Sequence, residues 1–364
     1  MTLPFHDLDP ALFERAQALL DDEWIAKDAD LAPLLPVVLA RNVGQDWHKA
    51  GTFRHHLVGV ARALALWRQP REVRLLGLLH SVYGNAFVDL VKFDAASERG
   101  RLAELVGADC EHLVHLFCTM SRTQFVQRVM AGEIEADGSV VLEKNGAPMV
   151  LTPFEVAAFI VVSMADSMEQ WFSWQDDIYS QFPRVQSERQ QAPHWAASLW
   201  PGPMRPSGRM LHQIACLGRA LRHPALNNLL PLPPVFGQCT QALSLADEAA
   251  ATSLYWSVIQ LDQPLVDLDA ATAVLEHAVR HNPWVGEPQM VLAQLYLSAG
   301  RGADAERAAN SALQCFSAWG NAWDKRVQWD AWVAWTRILL QSAQQGSWPA
   351  RLDKLNNLAL RAPA

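Results

Sequence analysis

Two histidines and one aspartate stand where their side chains would face an apolar interior. Leu57, Val60 and Ala61 follow His55-His56 at helical spacing, so His56 shares a face with Val60 and points toward a core. His80 closes the apolar run Leu75-Leu76-Gly77-Leu78-Leu79, and Asp166 closes a longer one, Phe159 to Ala165. An ionised carboxylate in such surroundings costs several kcal/mol unless a cation or hydrogen-bond donors compensate it. A metal ion held by two imidazoles would do so. Each residue alone also has a structural explanation, an inward His as a hydrogen-bonded core group and a buried Asp as a helix-pairing or capping residue.

The elements that must position these groups are helical. Asp9-Pro10 reads as the start of a helix through Leu20, and Gln69-Pro70 as the start of one reaching Leu79. Thr152-Pro153-Phe154-Glu155 is a capping box, opening a helix expected to run to about Trp174. One β element is expected, a hairpin pairing Val140-Val141-Leu142 with Met149-Val150-Leu151 around Asn145-Gly146. The texture changes between Gln181 and Gln238, where Trp200-Pro201-Gly202-Pro203, Pro206, Pro224, Pro231, Pro233 and Pro234 surround one helix, Gly208 to Arg222. The fold class is therefore all-α, with domains at 1–180 and 239–364 joined by the Pro-rich region 181–238.

The last third carries an internal repeat. Ala271, Leu275 and Ala278, which precede Pro283, have counterparts one 34-residue period later in Ala305, Ala309 and Ala312, with Leu292, Ala293 and Tyr296 on the intervening helix. This resembles a short tetratricopeptide-type array over about residues 250–343, which departs from the family pattern at Gln289 and Ser317. Such arrays serve as binding surfaces or packing annexes, so a protein partner is expected there. Trp319 and Trp323 share one helix face, as do Trp329, Trp332 and Trp335, and either an interhelix core or an aromatic pocket would account for them.

The order of His56, then His80 before Val82-Tyr83-Gly84, then Ala165-Asp166 resembles the HD-domain superfamily of metal-dependent phosphohydrolases over residues 40–180. The strings around His56 and His80 are similar to a bacterial branch of such domains, some of them joined to tetratricopeptide repeats. The resemblance implies an HD-like helical bundle with the hairpin as an insertion, and it implies His56, His80 and Asp166 as metal ligands. The superfamily's doublet is His-Asp, whereas this chain has His80-Ser81. Losing that carboxylate removes the oxygen that bridges two metals and weakens a two-metal hydrolytic clamp. Two histidines and one carboxylate suit a single divalent ion, Fe(II) first and Mn(II) or another first-row metal next. Non-haem iron oxygenases occur in the superfamily, though they keep the His-Asp pair and add histidines.

A further ligand could come from His112 or His115, three apart on a helix expected over Ala108–Met120, while His48 and His55 flank His56. Tyr83 and Ser81 would stand beside the metal, and Arg54, Arg101 or Arg122 would hold an anionic group of a small-molecule substrate. The expected activity is that of an oxygenase, with HD-type phosphohydrolase as the alternative. A degenerate scaffold that has lost its metal and binds a partner through its repeats is the other class.

Composition narrows the field further. Of 364 residues half are apolar and 19% charged, and 30 basic against 38 acidic side chains leave a net charge of −8. That balance offers no footprint for nucleic acid or an anionic membrane. Cys110, Cys118, Cys216, Cys239 and Cys315 show no CxxC spacing, which suits a reducing compartment. Asp7 and Asp9 occupy the region where an export signal would be basic, so a cytoplasmic location is expected. GxGxxG, P-loop, HExxH and GxSxG motifs are absent from the sequence.

Overall fold

The computed structural model describes residues 11–20, 24–48, 51–85, 90–170, 210–259, 267–325 and 327–348. The Asp9-Pro10 helix start, the expected helix reach to Trp174, and the Pro-rich stretch as far as residue 209 lie outside them. Glu14–Gln170 and Gln213–Ala242 form one compact unit, and the remaining described residues belong to another. Among the described residues no helix is long and apolar enough to cross a membrane.

In the first unit the chain passes through α1 (Ala11–Leu20) from Glu14 onward, α2 (Trp24–Lys27), α3 (Leu34–Leu39), β1 (Trp47–His48), β2 (Gly51–Thr52), α4 (Phe53–Leu66) and α5 (Arg71–Leu79). It continues as α6 (Arg99–Val106), α7 (Ala108–Thr119), α8 (Arg122–Met130), β3 (Val140–Lys144), β4 (Ala147–Leu151) and α9 (Pro153–Glu169). β1 pairs antiparallel with β2, and β3 with β4. The β3–β4 connection is the two-residue turn Asn145-Gly146, both with positive φ (54° and 79°), as a hairpin of this twist requires.

Two capping boxes set the starts of the helices that matter most. Thr52 Oγ1 accepts from His55 N and His55 Nδ1 accepts from Thr52 N, so His55 is engaged in starting α4. Thr152 Oγ1 accepts from Glu155 N and Glu155 Oε2 from Thr152 N, with Pro153 in the first turn of α9. Every residue of α9 from Glu155 to Asp166 is buried. This helix is the spine of the unit: α4 and α5 pack on it and on each other, and α5 also packs on α7. Gly77 in α5 allows the close approach to α4, since a Cβ there would lie 2.2 Å from Leu64 Cδ1. The chain ends this unit through part of α10 (Met210–Ala220) and α11 (Val235–Cys239).

The second unit contains α12 (Leu245–Ile259), α13 (Leu268–His281), α14 (Glu287–Ser298), α15 (Gly302–Trp319) and α16 (Trp329–Gln345), each packed on the next. The repeat residues Ala271, Leu275, Ala278, Ala305, Ala309 and Ala312 are all buried. So are Trp319, Trp323, Trp329 and Trp332, and the indole N–H groups of Trp319, Trp329 and Trp332 donate to the carbonyls of Trp284, Phe316 and Asp324. These rings are interhelix core. Glu287, 1% exposed, accepts through Oε1 from Trp323 N (2.6 Å) and Asp324 N (3.0 Å).

Two outcomes follow from this packing. Gly77→Ala is expected to lower unfolding free energy by about 1–3 kcal/mol in urea melts, because the added methyl must displace Leu64. Burial and the Asp324 charge push the Glu287 carboxyl up to about 7, so the native state binds a proton that the unfolded chain releases near pH 4.5. Its charged form therefore costs stability as pH rises from about 4.5 to 7. Glu287→Gln keeps the acceptor oxygen, and in melts at pH 8 it should exceed the parent by up to roughly 3 kcal/mol, an advantage that vanishes near pH 4.5.

Candidate metal centre

His56 lies one turn into α4, on the face that carries Phe53, Leu57 and Val60 inward. His80 is the C-terminal cap of α5, and Asp166 sits three residues before the end of α9. The three are 3%, 0% and 6% exposed. One donor atom from each lies within 4.8 Å of the other two. His56 Nε2 is 3.0 Å from His80 Nε2 and 3.3 Å from Asp166 Oδ1, and His80 Nε2 is 3.6 Å from Asp166 Oδ1. A first-row ion bonded at about 2.1 Å sets neighbouring ligands about 3.0–3.4 Å apart, a range that holds both His56 separations and lies just under the His80–Asp166 one, so the group can close on such an ion. A buried His-His-Asp group that could hold a metal ion is therefore present.

The ring orientations are determined by what lies behind them. His80 Nδ1 donates to Gly77 O at 2.8 Å, which turns Nε2 toward the other two donors. Burial, with the neighbouring charges of His56 and Arg122, pushes the His80 imidazole well below its ordinary value and keeps it neutral. Its Nε2 therefore offers a lone pair to His56 Nε2, and two imidazole nitrogens at this separation need a proton or a metal cation between them. His56 Nδ1, on the far edge of its ring, meets Glu169 Oε2. Phe53 stacks beside His56 and Phe117 stands edge-on to His80, closing the apolar wall.

Asp166 is bonded on both oxygens. Arg122 Nη2 pairs with Oδ2, while Gln170 Nε2 donates to Oδ1 at 2.7 Å and lies 3.1 Å from His56 Nε2. The Arg122 guanidinium also lies over the Phe117 ring at 4.8 Å. Burial lowers its pKa to about 10, which leaves it charged at neutral pH.

The remaining sequence candidates are placed elsewhere in the same unit. His112 and His115 are not part of the three-donor group: His112 is more than half exposed with Nε2 3.4 Å from Glu155 Oε1, and His115 stands edge-on to the Tyr83 ring. Tyr83 donates its hydroxyl to Glu111 Oε1 at 2.8 Å, and Arg99 forks onto both Glu111 oxygens. Burial alone would raise the Glu111 pKa, but the Arg99 and Tyr83 hydrogen bonds hold it below the usual carboxylate range. Burial and the Glu111 bond raise the Tyr83 phenol. Ser81 Oγ accepts from Asn85 Nδ2 at 2.8 Å. Arg54 is half-buried in the first turn of α4, and Arg101 is largely exposed beside Glu98. Sequence reasoning missed Glu169 and Gln170. Their signal was spacing, since they follow Asp166 by three and four residues on one helix face.

A family model described as a domain of unknown function (DUF6817) matches residues 37–122, a span containing His56 and His80 and ending before Asp166. No curated protein and no solved structure matches the chain.

Removing Arg122 leaves Asp166 with less compensation. Arg122→Met should cost about 3 kcal/mol in chemical denaturation. The double change Arg122→Met with Asp166→Asn should cost less than the single one, because the orphaned charge is then gone.

Proposed function

We propose that His56, His80 and Asp166 hold one divalent first-row metal ion, Fe(II) in the reading that fits best, and that the first unit is an oxygenase of a small molecule. The observation that carries this reading is the convergence of two imidazole nitrogens and one carboxylate oxygen, all buried, at 3.0–3.6 Å from one another. Two nitrogens and one carboxylate on one face are the donor set of mononuclear non-haem iron sites. When bound, such an ion supplies redox chemistry toward dioxygen. The chain's own groups hold the donors: Gly77 O orients His80, and Arg122 fixes the far oxygen of Asp166.

The resemblance to HD domains supports the same three ligands, and Ser81 in place of the doublet's aspartate favours one ion over two. Hydrolysis of a phosphoester on a single ion is the alternative chemistry. Room for a substrate exists in a cleft of about 450 Å³, lined by Tyr83, Asn85, Cys118, Ser121 and Lys144 among others. Its wall adjoins the site, since Cys118 Sγ donates to His80 O at 3.2 Å. The polar lining suits a small polar substrate. The second unit, read as a tetratricopeptide-like array, would add a surface for a protein partner, a reading supported by the buried small residues at a 34-residue interval.

A second reading has its own support. Arg122 and Gln170 between them engage both oxygens of Asp166, so its charge is compensated by protein groups and the bundle can stand as a scaffold without metal. Metal content separates the two. Protein purified anaerobically and exposed to Fe(II) should retain about one ion per chain and consume dioxygen with its substrate. His56→Ala, His80→Ala and Asp166→Ala should each abolish retention. Folded parent protein without metal would leave the scaffold standing, whereas alanine variants that keep the metal would place the ion elsewhere and overturn the site.

A further inference from the structure

We propose that Glu169 is a positioning residue of this centre, one that fixes which nitrogen of His56 is offered to a cation; the proposal rests on the metal-binding reading above. The geometry is specific to one edge of the ring. Glu169 Oε2 meets Nδ1, whereas Nε2 faces His80 and Asp166, and the Gln170 amide nitrogen lies nearer Nε2 (3.1 Å) than Nδ1 (3.3 Å). A carboxylate only accepts, so Nδ1 carries the proton and Nε2 keeps its lone pair for the shared site. His80 is fixed in the same sense by a different group, the Gly77 carbonyl. Both rings thus present Nε2, one held by a side chain and one by the backbone.

A second, independent observation comes from α4 itself. Gly59 stands one turn beyond His56 in the middle of a helix, where glycine costs about 1 kcal/mol relative to alanine. A Cβ at that position would lie 2.9 Å from Glu169 Cγ and 3.6 Å from its Cδ. The missing side chain leaves the space beside α4 that the Glu169 stem occupies on its way to His56. Glycine at 59 and glutamate at 169 are therefore two halves of one device, 110 residues apart in the chain and in contact across the α4–α9 packing.

The test uses the full chain, stripped of metal by chelation and titrated with Co(II), with the visible ligand-field band as readout and far-UV circular dichroism as the folding control. Parent protein should bind one Co(II). Glu169→Ala should bind 10- to 100-fold more weakly with the band retained, the range expected for losing an outer partner of a ligand. Glu169→Gln, which keeps an acceptor oxygen, should fall between them, and Gly59→Ala should weaken binding with Glu169 itself intact. Parent affinity in all three variants, while His56→Ala loses the band, would overturn the positioning role and leave the metal site standing. Complete loss of the band in Glu169→Gln would make Glu169 a ligand and overturn it equally. A folded parent chain that takes up no Co(II) would remove both the role and the site.

Discussion

A negative charge in the interior is the constraint on which the first unit depends. Asp166 sits near the end of a helix whose preceding eleven residues are almost entirely apolar and entirely buried, so its carboxylate must be compensated by polar groups brought around it. The molecule meets this demand from four directions. α8 brings Arg122, α4 brings His56, the end of α5 brings His80, and the last turn of α9 folds Gln170 back onto the same carboxylate. The packing of α4 and α5 on α9 is also the packing that assembles the donor group, so stability and chemistry share one interface.

The second unit handles buried acid differently. Glu287 is neutralised partly by taking up a proton and partly by two backbone N–H donors from the 323–324 segment. A proton suffices there, and no neighbouring cation is needed. The contrast sharpens the meaning of the first site, where histidines rather than backbone amides surround the carboxylate and a guanidinium takes its outer edge.

Local signals are legible in the sequence because their causes are local. The Asn145-Gly146 turn, the Thr152 capping box and the Pro70 start each depend on a few neighbouring residues, and each stands where expected. The meeting of His56, His80 and Asp166 was legible through the apolar runs that carry them inward. What was not legible is whatever depends on rotation about a helix axis or on contact across the fold. A spacing of three places His112 and His115 near one another on α7 without saying which way they look, and His112 turns out toward Glu155. Arg122 reads as a clamp for an anionic substrate because its partner Asp166 lies 44 residues away. Tyr83 follows His80 by three positions, yet its hydroxyl is taken by Glu111.

The separation of these partners along the chain has a consequence for how the unit assembles. His56 and His80 are 24 residues apart, whereas His56 and Glu169 are 113 apart. Closing so long a loop costs entropy that only the intervening structure can repay. The longer contact therefore gains from any structure that has already brought α4 and α9 together. A spectroscopic signal from the His56 ring would report the meeting of α4 with α9 rather than formation of either helix alone.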